Sequence, residues 1–379
     1  MDRIDGADED RGMVARVGWE RAALAAVLSV AGLTAQTTHL VGPGGHAQIH
    51  DAIAIASNGD VILVQPGNYV GFLTQKSLTI RGTAPGVNIG PGLLPHSIFN
   101  LLPGSNGEVH LVDLHIHSLL LSNARASLDG VTIDSPGGNL IVFHSVAALQ
   151  DCVIHPQAVP ILGAAPGLQA HDSHLTLIDS RVHGALALPG GYAATAVSLA
   201  NSRLFGSGLD LATDASSGGA LIVDGDATST VWLADSTVQS GWWTCPVNAG
   251  AVRFERTTVT PSCPGAPTGN VLGVHRTAPP LAGAPFVLAF RFDRNQPLGV
   301  QCALAIAATA PPFLEQALLL PPATAFAAGL LVTDANGLAT GSWNVPAGPH
   351  FAGQQLWFQA FGGTTFPLQA SALAGGIVR

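Results

Sequence analysis

Leu177-Ile-Asp-Ser-Arg-Val182 and Leu233-Ala-Asp-Ser-Thr-Val238 are two copies of the six-residue pattern that decides the fold of this chain. The pattern occurs in seven segments: Leu111–Ile116, Leu128–Ile133, Leu149–Ile154, Leu177–Val182, Leu199–Leu204, Leu233–Val238 and Phe254–Val259. Short cores of constant length separated by spacers of variable length are typical of a coil with constant strands and variable loops. The repeat therefore predicts stacked rungs of short parallel strands.

Each position of the pattern has a physical role. The first and sixth positions are apolar and are predicted to point inward, whereas the fifth is predicted to point outward. The third is Asp or Asn in five of the seven segments, and these residues suit a tight bend because they tolerate left-handed backbone geometry. The fourth is mostly small. Rungs about 4.8 Å apart would align like positions into ladders.

The segment before the repeat reads Val41-Gly-Pro-Gly-Gly-His-Ala-Gln-Ile-His-Asp-Ala-Ile-Ala-Ile-Ala56, followed by Gly59-Asp-Val-Ile-Leu-Val-Gln-Pro-Gly-Asn-Tyr69 and Lys76-Ser-Leu-Thr-Ile-Arg-Gly82. It resembles the opening of pectin-lyase-like right-handed parallel β-helix proteins, in which a short amphipathic helix caps the coil. Ile49, Ile53 and Ala56 would share one helical face. The resemblance implies an all-β, single-stranded, right-handed parallel β-helix over residues 38–265.

The pattern stops near residue 265, and residues 266–275 are predicted to be a linker. Residues 276–379 contain strand-like runs and a turn at Asp334–Gly337 that is typical of a hairpin. The block Gly353-Gln-Gln-Leu-Trp-Phe-Gln-Ala360 resembles the C-terminal β-sandwich modules of secreted planctomycete-type bacterial proteins. We therefore expect a small antiparallel β-sandwich after the β-helix.

Residues 1–35 are predicted to be a secretory signal peptide, with Arg16 and Arg21 before an apolar stretch at Ala22–Leu33 and cleavage after Ala35. A start at Met13 gives a more conventional signal, so the true start is an open question. About 12 apolar residues are too few to span a bilayer. We expect a secreted or cell-surface protein without a transmembrane segment after signal removal.

Composition excludes one class of partner. The formal net charge is −9 and only 10% of residues are charged, so the chain lacks the clustered cations that nucleic acid requires. The cysteines fit an oxidising compartment. Cys245 and Cys263 are predicted to form a disulfide between neighbouring rungs, whereas Cys152 and Cys302 are expected to be buried.

Polar side chains recur at the outward positions around the sixth residue of the pattern. The candidate ligand-binding residues are His115, His117, Asp134, His155, Arg181, His183 and Arg203. Imidazoles one rung apart can hydrogen-bond a sugar chain or share a metal ion, although an exposed strand face is polar in any case. The acidic loops offer weaker Ca²⁺ candidates at Asp210, Asp214, Asp224 and Asp226. No other cofactor is expected.

Catalytic motifs of the resembled family are not found. The Asp and Arg contexts of pectin methylesterases and the Asp and Gly-His-Gly contexts of polygalacturonases do not occur. An unperturbed arginine is a poor base for a lyase. The sequence therefore favours a non-catalytic exported protein that acts as a cell-surface or extracellular binding and structural element. Its expected partner is a polysaccharide or a component of the cell envelope. The alternative is a polysaccharide lyase or glycoside hydrolase that uses the outward His/Arg face.

Overall fold

The structure is a computed structural model that describes residues 36–91, 97–100, 107–157, 166–184, 195–213, 221–223, 229–239, 252–260, 271–309, 318–348, 351–364 and 367–379. It is all-β, with three long parallel sheets, a C-terminal antiparallel region and one short helix. The predicted fold class, a right-handed parallel β-helix followed by antiparallel sheets, is confirmed.

The three parallel sheets are named A, B and C. Sheet A contains, in spatial order, β1 (Thr38–Val41), β2 (Val61–Val64), β5 (Thr79–Gly82), β8 (Glu108–Val112), β11 (Arg125–Asp129), β14 (Val146–Gln150), β17 (His174–Ile178), β20 (Arg203–Ser207), β23 (Thr230–Ala234) and β25 (Val252–Glu255). Sheet B contains β3 (Gly67–Val70), β6 (Val87–Gly90), β9 (His115–Ile116), β12 (Thr132–Ile133), β15 (Val153–Ile154), β18 (Arg181–Gly184), β21 (Asp210–Thr213), β24 (Thr237–Gln239) and β26 (Thr258–Thr260). Sheet C contains β4 (Leu73–Thr74), β7 (Ser97–Asn100), β10 (Leu119–Ser122), β13 (Leu140–Phe143), β16 (Leu168–His171), β19 (Val197–Ala200) and β22 (Leu221–Val223).

Each rung passes through sheets A, B and C in turn, and each strand pairs in parallel with its counterpart one rung away. The sixth position of the pattern forms an inward ladder in sheet B. It includes Ile116, Ile133, Ile154, Val182 and Val238, all at most 1% exposed, and it ends at the partly buried Val259. The inward orientation predicted for this position is confirmed, and burial of these ladders supplies the main driving force for coiling.

The turn from sheet A to sheet B and the turn from sheet C to sheet A are both made by a residue with a left-handed backbone conformation. Between sheets A and B, Asp113, Asp151, Asp179 and Asp235 have left-handed φ angles of 48–54°. Between sheets C and A, Asn123, His144, Asp172 and Asn201 have left-handed φ angles of 46–53°. In several rungs, a serine follows the left-handed residue at one turn or at both. Its hydroxyl oxygen accepts a hydrogen bond from a backbone N–H of the preceding rung. Examples are Cys152 N to Ser180 Oγ (3.1 Å) and Ser173 N to Ser202 Oγ (3.1 Å).

Because both turns share this geometry, one segment of the predicted repeat was aligned wrongly. Asn201 lies in the turn from sheet C to sheet A, so Leu199–Leu204 is not equivalent to the other six segments. The equivalent turn of that rung is made by Gly208, which takes φ +67° and follows β20. A Cβ at Gly208 would lie 2.3 Å from an Asp179 carboxylate oxygen, so close packing also favours glycine there.

The N-terminal end of the coil is capped as predicted by helix α1 (Ile49–Ile55), whose Ile49, Ala52 and Ile53 are buried against the first rungs. Lys76, the single lysine of the chain, lies at the C-terminal end of α1. Its Nζ donates to the carbonyls of Ile53 (2.7 Å), Ala54 (3.1 Å) and Ala56 (2.6 Å). The ammonium group thus satisfies carbonyls that the end of a helix leaves without partners.

The C-terminal region forms two antiparallel sheets. One contains β27 (Gly273–Arg276), β28 (Pro285–Arg291) and β31 (Leu338–Asn344); the other contains β29 (Pro297–Ala303), β30 (Phe326–Val332), β32 (Gln355–Gly362), β33 (Gln369–Ala370) and β34 (Ala374–Ile377). The turn at Asp334–Gly337 is present, but it joins strands of different sheets and does not close a hairpin. Val271 and Leu272, within the predicted linker, are already buried.

The outer face of sheet A is covered by this C-terminal region. Outward side chains of sheet A such as Ile178, Phe205 and Trp232 share one hydrophobic cluster with Val274 and Leu373. The backbone N–H of Leu373 donates to Thr176 Oγ1 at 2.9 Å. Sheet A is therefore buried on both faces, which leaves sheets B and C to offer an outer surface.

Candidate functional site

The outward face of sheet B carries two columns of side chains, and most of the predicted site residues lie there. One column runs Asn68, Asn88, His115, Thr132, Val153, Arg181, Asp210, Thr237 and Thr258. The second column is formed by the residues that follow the inward residue of each strand. From one rung to the next, these are His117, Asp134, His155 and His183. These side chains are partly or fully exposed. We call this surface the sheet B face.

His115 is the centre of a polar cluster at one end of the sheet B face. Its Nδ1 lies 2.9 Å from Asn88 Oδ1, and its Nε2 is in close contact with an Asp134 carboxylate oxygen. Asn88 in turn donates from Nδ2 to Asn68 Oδ1 at 3.0 Å. Burial and the nearby charge of His115 hold the pKa of His117 below its ordinary value. This end of the face therefore presents a fixed array of amide, imidazole and carboxylate groups.

A second cluster surrounds Asp210, further along the sheet B face. Asp210 Oδ2 accepts from Arg181 Nε at 3.0 Å and lies 3.3 Å from His183 Nε2. The ring of His183 stands edge-on to that of His155, with centroids 5.2 Å apart. His155 thus lies between the two carboxylate clusters, beside His183 and on the same face as Arg181.

The two carboxylates of the sheet B face are too far apart to act on one glycosidic bond. Asp134 and Asp210 are separated by three rung steps, which is about 14 Å at the usual strand spacing. Glycosidases hold their two carboxyl groups about 5 to 9.5 Å apart. Among the described residues, no group of three or more His, Cys, Asp or Glu side chains is arranged to hold a metal ion.

Arg203 is not part of the sheet B face. It lies in β20 of sheet A, next to His174 and Thr230, because Asn201 forms the turn from sheet C to sheet A. Asp210 occupies the place next to Arg181 in the first column, where the sequence analysis had predicted Arg203. The signal that identifies it is Gly208-Leu-Asp-Leu211, in which glycine replaces the usual Asp of the turn.

Several predicted residues lie outside the described part of the chain. These are Asp214, Asp224 and Asp226 of the Ca²⁺ candidates, Cys245 and Cys263 of the proposed disulfide, and the whole of residues 1–35. Cys152 and Cys302, in contrast, are both buried and unpaired, as expected. Burial raises the pKa of the Cys152 thiol to about 12, so the thiol is unreactive at neutral pH.

The sequence prediction missed an acidic seam where the C-terminal region docks on the β-helix. Its members follow sheet A, at or beside the turn into sheet B: Asp113, Asp129, Asp151, Asp179 and Asp235. Cationic side chains from β25 onward face them. Their pairs are Arg379 with Asp113 (2.9 Å) and Asp129 (3.4 Å), Arg276 with Asp129 (2.7 Å) and Asp151 (2.5 Å), His275 with Asp179 (2.8 Å) and Asp235 (3.5 Å), and Asp235 with Arg256 (2.7 Å) and Arg291 (3.3 Å).

The seam shifts the ionisation of its members. Hydrogen bonds to Asp179 and Asp235 raise the pKa of His275 to about 9, although burial opposes the shift. Burial alone would raise the pKa of Asp235, but hydrogen bonds from His275 and Arg256 and their charges lower it to about 2. The Asp residues that suit the turns therefore have a second role, which is to hold the C-terminal region in place.

No family model matches this chain, and no curated protein and no solved structure matches it either. In the described part of the chain, no helix is long and apolar enough to cross a membrane.

Proposed function

We propose that this chain is a non-catalytic, exported β-helix protein that binds an extended polysaccharide along the sheet B face. The observation that carries the proposal is the pair of polar columns that run along the coil axis, with hydrogen-bonding groups on successive rungs about 4.8 Å apart. A linear chain of sugar rings laid along the axis would meet a new set of donors and acceptors at each rung. These polar groups would fix the orientation of the bound chain and make its binding specific.

The other two outer faces fit this role less well. Sheet A is covered by the C-terminal region. In sheet C, one outward column begins with Leu73, Ile98, Leu120 and Ile141, which offer no hydrogen bonds. The sheet B face thus combines exposure with a high density of imidazole, amide, guanidinium and carboxylate groups.

A binding experiment with two variants tests this proposal. A panel of uronic-acid-containing and neutral polysaccharides is titrated against the wild-type protein, the double variant His155→Ala/Arg181→Ala, and the control Arg294→Ala on the exposed surface of the C-terminal region. Loss of two polar contacts at about 0.5–1.5 kcal/mol each is expected to weaken binding about tenfold. Equal affinity of all three proteins, or no binding by any, contradicts the proposal.

The rival function is that of a polysaccharide lyase or glycoside hydrolase on the same face. His155 between the two carboxylate clusters is the residue that favours it, because a histidine can act as general acid or base. An activity screen on uronic-acid polymers, with and without Ca²⁺, distinguishes the two functions. Turnover that is abolished by His155→Ala would establish the enzyme and exclude the non-catalytic proposal.

The N-terminal sequence bears on the location of the protein and on its family. We infer export from the signal-like segment at residues 1–35, and a kinship with pectin-lyase-like β-helix proteins from the cap and first rungs at residues 41–82. The C-terminal region resembles the β-sandwich modules of secreted planctomycete-type bacterial proteins, and we propose surface retention as its role. The acidic seam joins this region to the β-helix. Fractionation of expressing cells, followed by N-terminal sequencing of the exported chain, tests both export and the cleavage site after Ala35.

A further inference from the structure

A cavity of about 230 Å³ lies where the first rungs of sheet A meet the C-terminal region. Ser77, Thr79, Glu108 and His110 line it from the β-helix, and Gln354 and Gln355 line it from the opposite side. Cavities for drug-sized ligands measure about 300–1,000 Å³, so this one suits a single ring. It is far larger than the space of about 30 Å³ that one water molecule fills.

The polar groups of this cavity match a ligand with several hydroxyl groups. His110 Nε2 and Glu108 Oε2 are 3.8 Å apart, which is too long for a hydrogen bond between them. His110 Nδ1 lies 2.8 Å from Ser127 Oγ. When the Ser127 hydroxyl donates to Nδ1, His110 Nε2 carries the proton. One ligand hydroxyl can then accept from His110 Nε2 and donate to the Glu108 carboxylate.

The remaining lining favours a neutral sugar-like ring over an anion. The amide of Gln355 is fixed because its Nε2 donates to Glu108 and its Oε1 accepts from Trp357 Nε1 at 2.8 Å. The carboxylate of Glu108 repels an anion, and His110 is the one other ionisable side chain in the lining. Leu304 adds an apolar surface for the C–H face of a ring.

We propose that this cavity binds one ring of a neutral polyhydroxylated ligand, either a free monosaccharide or cyclitol or the terminal ring of an oligosaccharide. The site is separate from the sheet B face and does not depend on the function proposed for that face. Because its residues come from both regions of the chain, bound ligand would also join the C-terminal region to the first rungs.

Titration followed by ligand-observed NMR or calorimetry tests this site. The panel contains glucose, galactose, mannose, myo-inositol and disaccharides that block one end of each sugar. At least one monosaccharide or cyclitol is expected to bind saturably to the wild-type protein, or one disaccharide through its open end. Binding of the free ring identifies a monosaccharide site, and binding of the disaccharide alone identifies a chain-end site.

The variant Thr79→Val, which removes a lining hydroxyl, is expected to weaken this binding at least fivefold. The same substitution at Thr132 on the sheet B face is the matched control and should leave it unchanged. Glu108→Gln is a second variant, because its amide oxygen can still accept from Gln355 while the charge is lost. Saturable binding by no panel member, or equal affinity in Thr79→Val, Glu108→Gln and Thr132→Val, would overturn the proposal.

Discussion

At the scale of single residues, left-handed backbone positions decide where each rung turns. Asp, Asn, His, Arg and Gly occupy these positions, and the following serine often accepts a hydrogen bond from the rung before. The sequence predicted the bend at the third position of the repeat but not that a second turn uses the same pattern. Both turns have the sequence Asp/Asn-Ser. The pattern alone therefore does not show that Asp179 lies in the turn from sheet A to sheet B and Asn201 in the turn from sheet C to sheet A. For this reason the prediction placed Arg203 on the wrong sheet.

The cost of left-handed geometry can be measured at Asn123, which takes φ 53° in the turn before β11. Asn123→Val is expected to destabilise the protein by about 1–2 kcal/mol, since a β-branched residue is poorly tolerated there. Asn123→Gly is the control and should change the free energy of unfolding little. Urea unfolding of the three proteins measures both values; equal effects of valine and glycine would show that the turn does not depend on this geometry.

His275 gives the seam a defined pH dependence. Its folded-state pKa of about 9 exceeds its ordinary value of 6.5, so its contribution to stability is complete below pH 6.5 and is lost as the pH rises through about 9. The lowered pKa of Asp235, about 2 against 3.8, gives stability that is present above pH 3.8 and lost as the pH falls through about 2. Arg256 and Arg291 also face Asp235 and remain charged throughout.

The variant His275→Gln tests this dependence. Its deficit in unfolding free energy relative to wild type is expected to be largest near pH 4–6.5 and to shrink between pH 6.5 and 9. Denaturant titrations across that range measure the difference. A deficit that stays constant over the whole range would exclude a charged His275 as the cause.

At the scale of elements, the capping helix, the rungs and their inward columns follow from the sequence because burial imposes a strict period on them. Docking of β27 and β34 on sheet A does not follow. It depends on apolar residues such as Phe205 and Trp232 at positions that read as outward, and on carboxylates that the turn already explains. A pattern cannot tell an exposed strand face from one covered by a distant segment.

Arg276 is the most deeply buried cation of the seam, with 1% of its side chain exposed, and it lies beside Asp129, whose side chain is 4% exposed. Arg276→Ala would leave the buried Asp129 with the longer Arg379 pair (3.4 Å) in place of the Arg276 pair (2.7 Å), which is expected to cost up to about 3–5 kcal/mol. Thermal unfolding and limited proteolysis at sites within residues 271–379 measure the loss. Arg294→Ala, on the exposed surface, is the matched control. Similar behaviour of the two variants would contradict an electrostatic role for the seam.

At the scale of the whole molecule, the C-terminal region sets which face of the coil can bind a ligand. It covers sheet A and leaves the sheet B face exposed, where seven described His, Asp and Arg side chains, including Asp210, line successive rungs. The sequence predicted six of these seven because alternation along a strand assigns them outward, and it missed Asp210 as a member of the face through the misplaced turn. The separation of Asp134 from Asp210 by three rungs supports binding over catalysis.

The central proposal, an extended polysaccharide bound and not cleaved on the sheet B face, is tested most directly by following polymer length and binding in one experiment. A uronic-acid polysaccharide is incubated with the protein, and light scattering after size-exclusion chromatography records the mass of the complex and of the polymer released from it. We predict a complex that the double variant His155→Ala/Arg181→Ala, which binds about tenfold more weakly, forms in much smaller amount at the same concentrations, and a released polymer of unchanged mass. A shortened polymer, or a complex that the double variant forms equally well, would contradict the proposal.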